Sequence, residues 1–339
     1  MNNGFEMVHP ELIERCRRLM QELGLAGPQA VIAATCLTGG VSSDVLRVDV
    51  DGQAYCAKFA LEVLRVAARW EAPIHRNRTE YAWLQFAASV APDSVPRLYG
   101  HSEREQGFAM EMVAGGARNW KDELVAGRVD SGIAREAGRL LGRLHAASAG
   151  RVLDPDRFGT AEDFFALRVE PYFIHLIATY PQLEARVLAL AEQYRVCRIA
   201  LIHGDVSPKN ILVRDGVPVL LDAECATMGD PAFDIGFCLN HLLLKWVHIP
   251  DSNAALLRAA RALWDGYCEH LDWEPVAALE RRVADLAPLL LLARVDGKSP
   301  VEYLHAEAKQ TVRSIALDLI DRPAATIEHI ATRLEARRA

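Results

Sequence analysis

Apolar residues recur at helical spacing from Pro10 to Leu23, where Leu12, Ile13, Cys16, Leu19, Met20 and Leu23 share one side and Gly24 ends the run. The period then changes. From Leu37 to Ala60 the chain reads as sheet: Val45–Val50 alternates, Asp51-Gly52 is a hairpin turn, and Ala54–Phe59 returns. A helix is expected over Arg78–Ala88, and two more strands over Val95–Gly100 and Gly107–Val113. Beyond Gly116 the spacing is almost entirely helical. Helices are expected over 131–149, 162–177, 181–194, 253–270, 275–295, 301–321 and 324–337. One hairpin interrupts them. Ile199–Ile202 leads into a polar loop, Ile211–Val213 leaves it, Asp215-Gly216 turns, and Val217–Leu221 returns to end on Asp222. The pattern predicts an α+β protein in two parts, 1–114 and 115–339, divided near Gly115-Gly116.

The loop inside that hairpin carries the candidate chemistry. It reads His203-Gly204-Asp205-Val206-Ser207-Pro208-Lys209-Asn210. Phosphoryl transfer needs a carboxylate to orient and deprotonate the attacking hydroxyl, and oxygen ligands for magnesium. Asp205 supplies the first; Asn210 and Asp222 follow in the order and spacing of the metal ligands of kinases. Taken singly, each of these residues would serve equally well as a turn cap. Jointly, with the right flanking strands, they point to a kinase.

His203-Gly204-Asp205, with Gly where protein kinases carry Arg, resembles the aminoglycoside phosphotransferase and choline kinase family of small-molecule kinases. Leu221-Asp222-Ala223-Glu224, Gly229-Asp230-Pro231 and Phe233-Asp234-Ile235-Gly236 agree with it. The D-x-E form and Asn240–Leu244 also resemble the methylthioribose kinase branch. Only one Arg, Arg294, stands where that branch carries a pair near its substrate, and Lys298 follows it; a charged helix end explains both as well as substrate contact does. The resemblance implies a bilobal protein-kinase-like fold with a small antiparallel-sheet N-terminal lobe and a mostly helical C-terminal lobe. It implies ATP with Mg2+ in the cleft and transfer of the γ-phosphoryl to a hydroxyl of a small molecule.

Further positions follow from it. Lys58, on the returning strand, is expected to reach the nucleotide phosphates, with Glu80 as its acidic partner and Glu62 and Glu71 as rivals. The small-residue loop containing Gly39, Gly40, Ser42 and Ser43 can bring backbone N–H groups to phosphates, although it lacks G-x-G-x-x-G. Glu111, Met112 and Val113 correspond to the hinge that binds adenine. Glu224 is expected to join Asp222 at the metal, because residues two apart in an extended segment face the same side. Asp230 and Asp234 are expected to be structural, as is His145. The Arg-rich stretch from Arg65 to Arg78 reads as a solvated helix face.

Composition narrows the field. Of 339 residues, 51% are hydrophobic and 24% charged, which are globular values. A net charge of -7 without a dense basic cluster argues against a nucleic-acid partner and is compatible with a cationic substrate. The seven Cys are odd in number and scattered, as reduced thiols of a cytoplasmic protein are. No signal peptide is read, and the longest apolar run, Leu286–Ala293, holds Pro288 and is too short to span a bilayer. The expected protein is cytoplasmic, a monomer or homodimer, with no membrane and, as the resemblance implies, a small-molecule acceptor. A nucleotide-binding pseudokinase with a scaffold role is the rival; a protein kinase would need D-F-G and A-P-E. The acceptor, whether aminoglycoside, amino alcohol, sugar or another metabolite, stays open, as does GTP in place of ATP.

Overall fold

Five strands pair antiparallel in the order β1-β2-β3-β5-β4, with β1 Ile32–Cys36, β2 Ser43–Val50, β3 Gln53–Ala60, β4 Leu98–Ser102 and β5 Gly107–Glu111. In this computed structural model the described residues are 9–37, 42–61, 73, 75–113 and 116–337. They divide into two compact units, Met1–Gly115 and Gly116–Ala339. The first unit holds the five-stranded sheet. Asp51 and Gly52 both take positive φ, 49° and 88°, as a tight two-residue hairpin requires. The strand β1 was not foreseen: Ile32-Ala33-Ala34-Thr35-Cys36 does not alternate in polarity, and as an edge it pairs with β2 alone. The amphipathic Pro10–Glu22 helix buries Cys16, Leu19 and Met20 against Leu46, Val48 and Phe59. The Arg76–Val90 helix buries Glu80, Trp83, Leu84 and Ala87.

The second unit is built around one helix, Ala232–His248, buried at every residue from Ala232 through Trp246. The helices Ser131–Ser148, Asn253–Cys268 and Val276–Asp296 pack around it. Ser131–Ser148 and Asn253–Cys268 cross so closely that a Cβ on Gly138 would lie 2.0 Å from the Leu263 carbonyl oxygen. The hairpin Ile211–Arg214 and Val217–Leu220 turns on Asp215 and Gly216, again with positive φ. Pro218 is accommodated because its strand is an edge in the three-stranded sheet.

Three expectations need correction. The continuous helix over 162–177 is broken into Ala161–Phe164, a π-turn at Phe165–Val169, a short turn of helix Glu170–Tyr172 and a 3-10 turn Ile174–Ala178. Pro171 lacks the N–H that a regular helix needs, so one unbroken ladder cannot form there. The helix expected from Val301 starts at Ala306 instead, because the Val301 N–H turns back to the Arg294 carbonyl at 2.9 Å. The second hairpin strand stops at Leu220, two residues before Asp222. All seven cysteines are free thiols. Among the described residues no helix is long and apolar enough to cross a membrane.

Candidate active site

In the first unit the central strand β3 carries Lys58 inward, and the Arg76–Val90 helix carries Glu80 towards it. The Lys58 Nζ lies 2.7 Å from a Glu80 carboxylate oxygen, and both side chains are almost fully buried. A buried ion pair holds geometry because breaking it strands a charge. Asn77, one turn earlier on the helix, donates from Nδ2 to the Lys58 carbonyl at 3.3 Å and meets His101 Nε2 at 3.1 Å through its Oδ1. The same helix begins with Arg76. Read from sequence as part of a solvated face, Arg76 is in fact fully buried, and its guanidinium donates to the carbonyls of Ser42, Leu61 (2.6 Å) and Pro73 (2.8 Å). It thereby ties the start of the helix to the end of the loop before β2.

Ser42 and Ser43 are buried at that loop end, where the Leu61 N–H reaches the Ser42 carbonyl at 3.0 Å. Gly39, Gly40, Glu62, Glu71 and most of the Arg65–Arg78 stretch lie outside the described residues. Glu111 ends β5, and its N–H bonds the Arg97 carbonyl at 2.7 Å. Met112 and Val113 follow it outside the strand, half-buried.

In the second unit, Gly204 explains its own identity. It has a φ of 75°, and a Cβ there would meet the Cys225 carbonyl oxygen at 2.6 Å. No side chain fits, and least of all the Arg of protein kinases. Asp234 holds the loop from below: its carboxylate accepts from the His203 N–H at 2.7 Å and the Gly204 N–H at 2.9 Å. His145 Nε2 donates to it at 3.2 Å, while the other ring nitrogen meets the Tyr267 hydroxyl at 2.9 Å. Burial opposes the Asp234 charge, but these partners outweigh it and hold the carboxyl below its ordinary value. Asp230 caps the Ala232 N–H and pairs with Arg282 at 3.0 Å. Asp234 thus braces the loop directly, while Asp230 fixes the start of the helix that carries Asp234.

His203 is a second brace. Its Nε2 donates to the Leu221 carbonyl at 3.0 Å, and its Nδ1 accepts from the Asp205 N–H at 3.2 Å. One donor and one acceptor define a neutral imidazole, and burial pushes its pKa down.

Asp205 sits at the centre, 4% exposed. Three groups converge on its carboxylate: Arg168 Nη2 at 3.0 Å, Asn210 Nδ2 at 2.8 Å and Lys209 Nζ at 3.6 Å. Lys209 has its pKa raised, first by Asp205. Burial works against the Arg168 charge, yet the acids around it, Asp205 foremost, raise its pKa. Arg168 was missed in the sequence. It stands in the apolar stretch Phe164–Val169, and the π-turn there aims it inward, where its Nε also donates to the Gly204 carbonyl at 2.8 Å. The available signal was a lone Arg in an apolar run three residues before a proline.

Asn210 donates from Nδ2 to both the Asp205 carbonyl and carboxylate, which leaves its Oδ1 as an acceptor. The Leu221 N–H bonds the Asn210 carbonyl at 2.9 Å and so fixes the segment leading into Asp222. Asp222 has a φ of 68°, in the left-handed region that Asp tolerates better than most residues. The extended geometry expected to carry Asp222 and Glu224 to one side is therefore absent. Glu224 lies in a turn, but it is 6% exposed rather than solvated, and its charge reaches Arg168. Arg294 donates to the hydroxyl of Tyr172 and to Ser299, and Lys298 pairs with Glu170 at 2.7 Å.

A braced H-G-D loop, an Asp with converging cations and an Asn beside it, with a second Asp two residues beyond the hairpin, define a kinase-type phosphotransferase. Residues 34–279 match the model of the phosphotransferase enzyme family, APH, and the chain belongs to that family. The chain is 27% identical over 303 residues to the methylthioribose kinase of Cronobacter sakazakii, covering 78% of this chain and 75% of that one. Among solved structures, a choline/ethanolamine kinase family protein from Mesorhizobium loti matches with a TM-score of 0.53 and 17% identity, over 94% of this chain and 98% of that one. An amicoumacin kinase, solved with AMP-PNP, Ca2+ and amicoumacin, matches with a TM-score of 0.56 and 16% identity, over 94% and 98%. The fold is protein-kinase-like, and the protein is a small-molecule kinase that transfers phosphate to a hydroxyl.

Proposed function

We propose that this enzyme uses ATP with magnesium to phosphorylate a hydroxyl of a small metabolite, with Asp205 as the base. The observation that carries the reading is the convergence of Arg168, Lys209 and Asn210 on the buried Asp205 carboxylate. A base so constrained needs no reorganisation when the hydroxyl arrives. In the reaction the acceptor oxygen bonds to the γ-phosphorus, the bond from that phosphorus to the bridging oxygen breaks, and ADP leaves. The hydroxyl proton passes to Asp205. Lys58, fixed by Glu80, is assigned to the nucleotide phosphates, with Gly39, Gly40, Ser42 and Ser43 supplying the loop around them and Glu111, Met112 and Val113 the adenine edge.

The donor set suits a hard cation. Asn210, with its Nδ2 engaged by Asp205, keeps an amide oxygen to offer and Asp222 adds a carboxylate, and both are oxygen donors of the kind magnesium takes. Magnesium takes one or two protein carboxylates plus phosphate oxygens, and bound there it neutralises charge on the transferring group. Asn210 and Asp222 are its proposed ligands, with Glu224 acting behind them. The amicoumacin kinase structure, which holds AMP-PNP and Ca2+, supports a nucleotide with a divalent cation.

Coupled ADP release against a panel of sugars, amino alcohols, hydroxy acids and antibiotics tests the reading. Acceptor-dependent ADP formation that requires both magnesium and Asp205 is expected. A panel that never stimulates ADP release, with no AMP-PNP binding by calorimetry, would contradict it.

A further inference from the structure

The helix Ala232–His248, buried from Ala232 through Trp246, carries a lysine at its core. Lys245 is 1% exposed. Its Nζ makes one long hydrogen bond, 3.5 Å to the His241 carbonyl of its own helix, and sits 5.2 Å from the centre of the Tyr303 ring. Arg294 lies nearby, and its charge acts on Lys245, His241 and Tyr303 alike. One face of Arg294 is occupied by the Tyr172 hydroxyl and Ser299 Oγ, each at 3.0 Å. Its Nε is buried with no hydrogen-bond partner, and so is the Tyr303 hydroxyl.

Neither cation has an ion pair among the described residues. Glu302, a carboxylate whose charge reaches Lys245, is itself engaged by Lys121. The other titratable neighbours bring no negative charge: burial drives the His241 pKa well down and the Cys238 thiol up to about 12. Lys121 and Arg294 against Glu302 leave one positive charge in excess, and Lys245 adds a second whenever it is protonated. Burial, with Lys121 and Arg294 adding to it, presses the Lys245 pKa down to about 7. An uncompensated buried charge costs several kcal/mol, on the order of the stability of a domain. Buried, unpaired titratable groups of this kind concentrate at functional sites, where a ligand of opposite charge can complete them.

The cluster is linked to the Asp205 carboxylate through Tyr172. The Tyr172 ring centre is 5.6 Å from the Arg294 guanidinium and 5.9 Å from that of Arg168, which pairs with Asp205. From the other side, the charge of Lys209, itself 3.6 Å from Asp205, reaches His241. We propose that Lys245, with the Tyr303 hydroxyl and Arg294 Nε, binds an anionic group of the phosphoryl acceptor, a carboxylate or a phosphate ester, so that the acceptors are hydroxy acids or sugar phosphates. The inference rests on the phosphotransferase reading above. It also reverses what the net charge of -7 suggested about a cationic substrate, because the local field here is positive.

The test is calorimetric titration of the full chain with inorganic phosphate, D-glycerate and neutral glycerol, in wild type, Lys245→Met and Tyr303→Phe. Wild type is expected to bind phosphate or glycerate and not glycerol, and the anion that binds distinguishes ester from carboxylate. Lys245→Met should weaken the anion by about tenfold or more, the scale of one charged hydrogen bond, while its melting temperature rises, since an unpaired buried charge has gone. Tyr303→Phe keeps the ring and should lose roughly threefold in anion affinity. Wild type that binds neither anion, unchanged anion affinity in both variants, or a Lys245→Met that melts lower or fails to fold while Tyr303→Phe binds normally, would each overturn the proposal. AMP-PNP titrated into the same proteins separates the two readings: equal nucleotide binding with altered anion binding supports the acceptor site, whereas no nucleotide binding by wild type removes the kinase reading on which the acceptor role rests, and the proposal with it.

Discussion

Lys58 and Asp205 are the two charges to which we assign the nucleotide phosphates and the base, and the two units hold them differently. Lys58 is met by Glu80 from a regular helix packed on a regular strand. Asp205 is met by Arg168 from a π-turn, by Lys209 and Asn210 from its own loop, and through the backbone by Asp234. The first arrangement fixes a cation so that it can receive a ligand. The second fixes a base from several sides at once, and binding a ligand need not complete it. The difference teaches that nucleotide affinity and chemical rate should respond to separate sets of residues.

The largest effect is expected at the base. Asp205→Asn keeps shape and loses the proton acceptor, and turnover should fall on the order of a thousandfold, read by ADP release at saturating ATP. Arg168→Met removes a charged donor without emptying the space. It should lower kcat by roughly ten- to a hundredfold with little change in the KM for ATP. A variant with a raised KM for ATP and normal kcat would move Arg168 out of the base's support.

Asp234→Asn sharpens the comparison through stability. It weakens the two backbone anchors and the His145 contact, at a cost of about 3 kcal/mol, measurable by urea unfolding. Its pH dependence has a fixed sign. The folded carboxyl is held below its ordinary value of 3.8, so its stabilisation is complete above that value and is lost as pH falls through the lower folded value. Wild type should therefore lose more stability than Asp234→Asn on acidification below about pH 4. The smallest effect is expected at Glu224. It lies in a turn rather than on a strand, so Glu224→Gln should raise the magnesium concentration for half-maximal rate by only roughly threefold, as a carboxylate acting through water would.

Regular elements made the fold and half of the site readable from sequence. The hairpin of Val45–Val50 and Ala54–Phe59 placed Lys58 on a strand, and the family resemblance named Glu80, on the following helix, as its partner over Glu62 and Glu71. The residues that were hidden lie where periodicity fails. Arg168 sits on a π-turn, a conformation without a sequence period of its own. Arg76 was disguised by Arg-rich neighbours, since charge alone reads as solvent exposure and only tertiary hydrogen bonds to the carbonyls of Leu61 and Pro73 reveal its burial. The role of Glu224 was argued from a strand that ends two residues before Asp222, and the left-handed backbone of Asp222 is invisible in a non-glycine residue.

The central claim is that one set of residues binds the nucleotide and the other performs the transfer. Titration of magnesium AMP-PNP into Lys58→Ala and Asp205→Asn, side by side by calorimetry, tests it most directly. Lys58→Ala should bind the nucleotide about tenfold or more weakly, the loss of one charged contact to phosphate, while Asp205→Asn binds it as wild type does and turns over almost nothing. Nucleotide affinity retained in Lys58→Ala, or turnover retained in Asp205→Asn, would contradict the account.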